Sequence, residues 1–465
     1  MIDRIVIIGG GISGLAAAHR VTELNRSAHV TILEASDRLG GTIQTEHRDG
    51  FLLERGPDSF ISEKPHALAL TKRLGLESQL IQTNEEFRRS FIVRDGRLRA
   101  VPEGFQLMAP SRMLPFITSD IFSFGGKARM AADLILPRRN TNGTTDESLA
   151  SFVRRRLGQE ALARMAQPMV GGIYTADPET LSLRATLPRF LDMEQKHRSL
   201  ILAMMRQGRA QKSGTSGARY SLFVSFNQGM QALVDPLTRI RADLRVKTRA
   251  QRVTCDRGWR IYTDQNEEIK ADAVCLAVPA YVAASLLSDI DARIAEKLRA
   301  IKYASTATIN FGYKRAAIKH PLNGFGFVVP LIEKRSLIAC TFSSVKFSGR
   351  APQDHVLLRA FAGGALQPEI FALDQTEMAG RVEADLRELL GISEDPRFIE
   401  VAKWERSMPQ YEVGHLDRVS EIVRLASELP RLSLAGNAYH GAGIPDCIRS
   451  GEAAAESLLN HRASD

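Results

Sequence analysis

A chain of 465 residues is longer than one hydrophobic core serves, so two or three domains are expected. Its 44% hydrophobic and 25% charged residues describe an ordinary globular protein and exclude a fibrous or disordered one. With 62 basic and 53 acidic residues the formal charge is +9, spread along the chain rather than gathered into an arm, which favours an anionic ligand and argues against nucleic acid.

Ile5 to Ile8 form an uninterrupted apolar run, the pattern of a parallel strand covered on both faces. Gly9, Gly11 and Gly14 follow at G-x-G-x-x-G spacing and open a helix of good formers, Leu15 to Ala18. The first glycine permits the turn, the second lets backbone approach a pyrophosphate, and the third lets helix and strand pack closely. The helix N-terminus then offers free N–H groups to the anion. Val30 to Leu33 supply the next strand, ending in Glu34, an acid placed to accept hydrogen bonds from a ribose. A dinucleotide-binding α/β unit is expected, with Gly10, Ile12 and Ser13 in the same turn.

Further on, Gly50 to Glu54 reads as a strand, Arg55 to Phe60 as a loop, Ser62 to Leu76 as a helix stopping at Gly75, and Phe87 to Val101 as a hairpin turning at Asp95-Gly96. From Pro102 to Met205 the helical period dominates: Gly126 to Leu136 is ended by Pro137, Ser148 to Leu157 by Gly158, and the helix from Glu160 by Pro168. Arg138 to Asp146 reads as a polar loop, and the Gly/Ser-rich stretch Gln207 to Gly217 as a mobile loop or hinge. The chain returns to the first unit at Phe226 to Met230. A helix to Arg239, strands Leu244 to Val246 and Ala250 to Thr254, the hairpin Arg260 to Ile269 and the strand Ala273 to Val278 follow. Ala307 to Tyr313, Gly326 to Val329 and Val356 to Phe361 predict a second, antiparallel sheet. Thr376 to Leu390 is a helix ended by Gly391, and the chain closes on strand Leu432 to Ala435 and helix Gly451 to Leu459. A glycine-lined approach precedes that helix, whose start is put near Cys447 or Ile448.

Cys255, Cys275, Cys340 and Cys447 are far apart and form no C-x-x-C, so no metal site or disulfide framework is expected and a reducing cytosol suits the chain. The first strand begins at residue 2, so no targeting peptide is expected. The apolar segment Ala273 to Leu287 is short for a membrane span and is broken by Pro279. Peripheral contact at the inner face of the membrane stays open, because apolar Met113 to Phe124 is followed by Lys127, Arg129, Arg138 and Arg139; a buried helix pair with solvated basic ends is the alternative.

Five segments carry a family resemblance. Glu34-Ala35-Ser36-Asp37-Arg38-Leu39-Gly40-Gly41-Thr42 resembles the E-A-x-x-R-x-G-G motif of FAD-dependent amine oxidases, phytoene desaturases and protoporphyrinogen oxidases. Gly171 to Ser182 (GGIYTADPETLS) resembles the G-[VI]-Y-x-x-D-P-x-x-L-S signature of the porphyrinogen oxidases, which amine oxidases and desaturases lack. Glu194 to Leu200, Trp404 to His415 and the C-terminal Leu434 to Ile448 are similar to segments of the same enzymes.

The resemblance covers essentially the whole chain. It implies a Rossmann-like FAD-binding α/β domain (1–50, 220–288, 420–465), an antiparallel-sheet substrate domain (51–88, 200–219, 289–419) and an inserted helical domain (89–199), α+β overall. The implied activity is oxidation of protoporphyrinogen IX or coproporphyrinogen III to the porphyrin in haem biosynthesis, with FAD as cofactor, oxygen as acceptor and hydrogen peroxide as by-product. The enzyme would be cytoplasmic, a monomer or homodimer, with a haem-pathway ferrochelatase as a possible partner.

In the implied site, Ala35, Arg38, Gly41, Thr42, Gly56, Pro57, Asp58 and Ser59 join the first turn around FAD, with Val253, Trp404, Gly436, Gly443 and Ile444. Lys64, or less favourably Arg89, would meet a substrate propionate, each with a solvated surface cation as its alternative. Val328, Ile338 and Phe361 would line the apolar slot, or simply be core. Asp58 is the candidate catalytic base, or a hydrogen-bonding partner of the flavin. Tyr411 and His415 are read as a supporting loop rather than as catalysts, and His197 as a solvated helix residue. Two other readings stand: a flavin amine oxidase or carotenoid desaturase, and a non-enzymatic porphyrin- or haem-binding flavoprotein.

Overall fold

A computed structural model describes residues 2–139, 146–210 and 222–460. Its organising element is a five-stranded parallel sheet in the order Asp243–Arg245, His29–Leu33, Arg4–Ile8, Ala273–Leu276, Leu432–Leu434. Ile5 stands opposite both Val30 and Ala273. Alternation sends Ile5 and Ile7 to one face, where helix Ile12–Leu24 and the last helix pack. Val6 and Ile8 go to the other, beneath the three-stranded sheet of Trp259 and helix Ala280–Leu287. The unbroken apolar run is thus buried on both sides, as the sequence predicts.

The second sheet has seven strands, in the order Phe398–Pro409, Tyr303–Lys314, His355–Gly363, Ala339–Phe342, Gly326–Val328, Phe91–Arg94, Arg97–Ala100. It is mixed rather than purely antiparallel, because Phe91–Arg94 joins Gly326–Val328 in parallel. The hairpin read with the helical segment therefore extends this sheet. Its turn is as predicted: Asp95 and Gly96 have φ of 50° and 69°, the left-handed pair of a tight hairpin.

Between the hairpin and residue 210 lie short helices around Phe116, Phe152, Met165, Phe190 and Met204. Pro168 does not end its helix. A widened π turn, Leu162–Ala166, precedes it, and Pro168 sits in the first turn of Gln167–Tyr174, where a missing N–H costs least. The helix stops instead at Thr175, which is left-handed at φ 48°.

Other expectations shift. Met230 to Arg239 forms two 3-10 turns, Met230–Leu233 and Asp235–Arg239, the second opened by Pro236. The final helix starts at Ile444, with Pro445 in its first turn, not near Cys447 or at Gly451. Residues 207–210 lie in helix Leu200–Ala210; the rest of the predicted hinge, and most of the Arg138 to Asp146 loop, fall outside the described residues.

A buried ionic network ties these helices together. Asp133 accepts from Arg156 Nε at 2.7 Å, Ser199 Oγ at 2.6 Å and Ile201 N at 3.0 Å. Glu194 accepts from Arg155 and from Arg139 N, and Glu147 from Arg155. The Glu194 to Leu200 motif is spent here, with His197 half-buried beside Arg206. Among the described residues, no helix is long and apolar enough to cross a membrane.

Candidate active site

The first glycine turn divides its work by position. A Cβ on Gly9 would lie 2.3 Å from Ala277 O, and one on Gly14 would lie 1.9 Å from Gly9 O, so both are demanded by backbone packing. A Cβ on Gly11 would meet nothing nearer than Gly41 Cα at 3.9 Å. This open glycine is the N-cap of Ile12–Leu24, and no side chain caps the helix. Its first N–H groups remain for an anion. Glu34 Oε2 accepts from Gly10 N at 2.7 Å and Oε1 from Ser36 N at 2.8 Å, which leaves lone pairs on both oxygens for a ribose.

Segment 38–42 runs beside this turn: Gly40 bridges Gly11, and Ala35, Gly41 and Thr42 are exposed. Arg38 is turned inward, donating to Gly41 O at 2.6 Å, Ile43 O at 2.5 Å and Gln231 Oε1 at 3.0 Å, so it braces the segment. Val253 stands on strand Ala250–Cys255 of the Trp259 sheet, its side chain wholly buried.

A Cβ on Gly56 would sit 1.7 Å from Thr42 O, so the 56–59 loop lies directly against the 40–42 segment. Three groups of the second sheet hold it: Trp404 Nε1 reaches Arg55 O at 2.9 Å, Thr308 Oγ1 the same oxygen at 2.5 Å, and Arg359 the carbonyl of Gly56. Asp58 is paired with Lys346 at 3.0 Å. Burial pushes its carboxyl up, but Lys346 and then Arg359 overcome this and hold it well below the usual range.

Behind the loop, Glu54 is 3% exposed and accepts from Met230 N and Thr45 Oγ1. Burial pushes its carboxyl up to about 7. A group raised in the folded state binds more protons there than when unfolded, so its contribution is full below about pH 4.5 and is lost as pH rises through about 7. The loss should be about 3 kcal/mol, and Glu54→Gln should flatten the thermal-stability profile across that window.

The C-terminal turn is held by an aromatic pair. Tyr411 OH donates to Asn437 O and accepts from Gly441 N at 3.1 Å; His415, stacked on Tyr411 with ring centroids 4.2 Å apart, places Nε2 3.0 Å from Tyr439 O. Burial raises the Tyr411 phenol well above its ordinary value and lowers His415 to about 4, so both are neutral struts. Gly436, at φ 131°, would carry a Cβ into open space, while Gly443 is exposed and Ile444 buried at the start of the last helix. Tyr411→Phe leaves Gly441 N unpartnered, costs about 1 to 3 kcal/mol, and should weaken FAD binding roughly tenfold or more by titration of the apoprotein.

On the second sheet, register sets Val328, Ala339, Phe361 and Thr308 in one row. Val328 Cγ1 would be 3.9 Å from a Cβ on Gly172, so the GGIY helix faces this row. Ile338 lies outside it, lining a cavity of about 20 Å³ with Gln167, Gly171 and Thr175, which has room for about one water. Lys64 is bound to Asp446 at 2.6 Å, and Arg89 is exposed on a different element. A propionate at Lys64 would compete with Asp446.

The sequence profile of flavin containing amine oxidoreductases matches residues 12–459. The chain belongs to that family. Among relatives of this flavin oxidoreductase, the coproporphyrinogen III oxidase of Bacillus subtilis (strain 168) is 36% identical over 470 residues, covering 98% of each chain. The chloroplastic protoporphyrinogen oxidase of Nicotiana tabacum is 30% identical and covers 95% of this chain and 83% of its own. A crystal structure from Exiguobacterium sp. 255-15, provisionally named a protoporphyrinogen oxidase, superposes with TM-score 0.89 at 30% identity over 99% of both chains. Putrescine oxidase, at TM-score 0.69 and 17% identity, shares the fold alone.

FAD is the cofactor of this flavin oxidoreductase, and the residues present fit it: an uncapped helix N-terminus, an acid at the next strand end, and open backbone at Gly11 and Gly436. Among the described residues, no cluster could hold a metal ion. Sequence reasoning missed the cations Lys346, Arg350 and Arg359 around the 56–59 loop. One signal was available: Arg359 interrupts the apolar strand HVLLRAFAG, and a charge at a buried strand position needs a partner.

Proposed function

We propose that this flavin oxidoreductase converts a porphyrinogen to the porphyrin in haem biosynthesis, with coproporphyrinogen III as the preferred substrate. The observation that carries this is 36% identity to the Bacillus coproporphyrinogen III oxidase over 98% of both chains, above the 30% for the tobacco protoporphyrinogen oxidase. The competing amine oxidases in the structural comparison share only 16 to 17%.

Bound FAD would supply the hydride acceptor, with oxygen as the terminal acceptor and hydrogen peroxide as the by-product. The chain's own part is to bind, orient and desolvate. The row Val328, Phe361 and Thr308, facing Gly172, supplies an apolar wall for a macrocycle, with Ile338 at its margin. Lys64, and less favourably Arg89, stand as propionate partners; the Asp446 pair keeps Lys64 oriented until a carboxylate takes its place. Asp58, held ionised by Lys346, is a poor proton acceptor at neutral pH, so its role is to hold the 56–59 loop and its cations. The assignment of 1–50, 220–288 and 420–465 to the FAD unit, and of the remainder to substrate and helical units, is part of this reading, except that the hairpin Phe91–Ala100 goes with the substrate sheet.

A cytoplasmic enzyme that touches the membrane surface is also proposed. Leu114, Ile117, Phe124 and Ile135 are 74%, 57%, 89% and 77% exposed, near Arg112, Lys127 and Arg138. Cosedimentation with vesicles containing anionic lipid, lost in Phe124→Ser/Ile135→Ser and at high salt, is the expected result. A monomer or homodimer handing its porphyrin to a ferrochelatase completes the proposal.

Mixing the oxygen-free holoenzyme with coproporphyrinogen III should bleach the flavin absorbance. A flavin that stays oxidised while the porphyrinogen binds would favour the non-enzymatic reading.

A further inference from the structure

Two buried cations, Arg350 and Arg359, and the half-buried Lys346 converge on the 56–59 loop, which the family resemblance places around FAD. Lys346 Nζ lies 3.0 and 3.2 Å from the two oxygens of Asp58 and 3.2 Å from Ser59 Oγ, which itself donates to Asp58 at 2.7 Å. Arg359 Nη1 is 3.8 Å from the same carboxylate, and its other nitrogen holds Gly56 O. Arg350, 2% exposed, donates among the described residues only to neutral acceptors, Ser225 Oγ, Phe226 O and Asn227 O, and Ser225 Oγ in turn reaches Asp58 O at 2.7 Å. The cluster is thus one connected network bearing three positive charges against one.

The remaining carboxyl of this interior, Glu54, forms no ion pair with any of the three among the described residues. Carbonyl bracing alone does not call for this charge, since neutral amides would donate equally well. Buried cations in excess favour an anion nearby, because low-dielectric surroundings strengthen the attraction and withhold the water that would otherwise stabilise them. The loop they grip touches the 40–42 segment and, through it, the first glycine turn, so the excess lies along the line the cofactor would follow.

We propose that Lys346, held in place by Asp58 and Ser59, acts with Arg359 to set a positive potential at the flavin ring that favours its reduced, anionic form. The proposal rests on the reading that residues 56–59 face the flavin, and adds an electrostatic role that neither the family motifs nor the substrate assignment contains. Lys346 is the residue to vary, because among the described residues its side chain makes no hydrogen bond to a backbone carbonyl of the kind by which Arg359 holds Gly56.

The test is the two-electron midpoint potential of the purified holoenzyme, equilibrated with reference dyes in the absence of substrate. Lys346→Met should disfavour reduction at least tenfold, about 30 mV for a two-electron couple. Lys346→Arg, which keeps the charge, should stay within threefold of the parent. Asp58→Asn should shift the equilibrium toward reduction, and Lys346→Met/Asp58→Asn, which restores the net charge, should return to within threefold of the parent. An unchanged potential in flavin-bound Lys346→Met, or a shift of the same sign in Asp58→Asn, overturns the proposal. If Lys346→Met is isolated without FAD, the Asp58→Asn arm decides alone by its sign. Because no porphyrinogen is present, these outcomes are independent of whether the substrate assignment holds.

Discussion

Gly14→Ala is expected to yield a protein without bound FAD. The added Cβ would lie 1.9 Å from Gly9 O, backbone against backbone at the turn proposed to receive the pyrophosphate, and no side chain is there to move aside. Relief requires the helix Ile12–Leu24 to back away from the strand. On its other side the last helix already approaches so closely that a Cβ on Gly451 would be 2.1 Å from Ser13 O. FAD affinity should fall at least 100-fold, about 3 kcal/mol, with a lower melting temperature. Gly380→Ala makes the control: an exposed position within helix Gln375–Leu390 with nothing within 4 Å of the new methyl, where alanine should stabilise by about 1 kcal/mol. A yellow Gly14→Ala protein of parental affinity would contradict the assignment of this turn.

Asp133→Ala should cost about 3 to 5 kcal/mol. Asp133 is 0% exposed and Arg156 1% exposed, so the change strips a buried guanidinium of its hydrogen-bonded carboxylate and leaves it only the more distant Glu194, at 3.6 Å. It also strips Ser199 Oγ and Ile201 N of their acceptor, freeing the start of helix Leu200–Ala210. Denaturant unfolding should show the loss, and proteolysis should begin among residues 113–205. A double Asp133→Leu/Arg156→Met variant, which removes both charges, should recover much of the stability. Equal losses in the single and double variants would assign the cost to packing instead.

The parallel sheet and the first turn were legible because each local signal pointed the same way: an apolar strand, glycines at the required spacing, a good helix and an acid at the next strand end. Where the sequence misled, a local rule met a tertiary override. Pro168 reads as a stop, yet a π turn carries the helix past it, and Pro236 breaks into 3-10 turns what periodicity reads as one helix. The hairpin at Asp95-Gly96 was found from its turn residues, but its place on the second sheet depends on a parallel pairing across more than 200 positions, which no local pattern encodes. The site divides in the same way. Gly11, Glu34 and Gly436 stand in motifs, whereas Lys346, Arg350 and Arg359 come together only when the second sheet closes on the 56–59 loop. Lys64 looked like a free cation because Asp446, its partner, lies at the far end of the chain.

The most direct test of the account is the growth of porphyrin fluorescence when the yellow protein is mixed in air with coproporphyrinogen III or, separately, protoporphyrinogen IX, each against a protein-free blank. Porphyrin should appear faster than in the blank, with coproporphyrinogen III the better substrate, and hydrogen peroxide should accumulate alongside. A faster reaction with protoporphyrinogen IX would reverse the substrate preference, and no acceleration with either by FAD-loaded protein would contradict the porphyrinogen oxidase assignment itself.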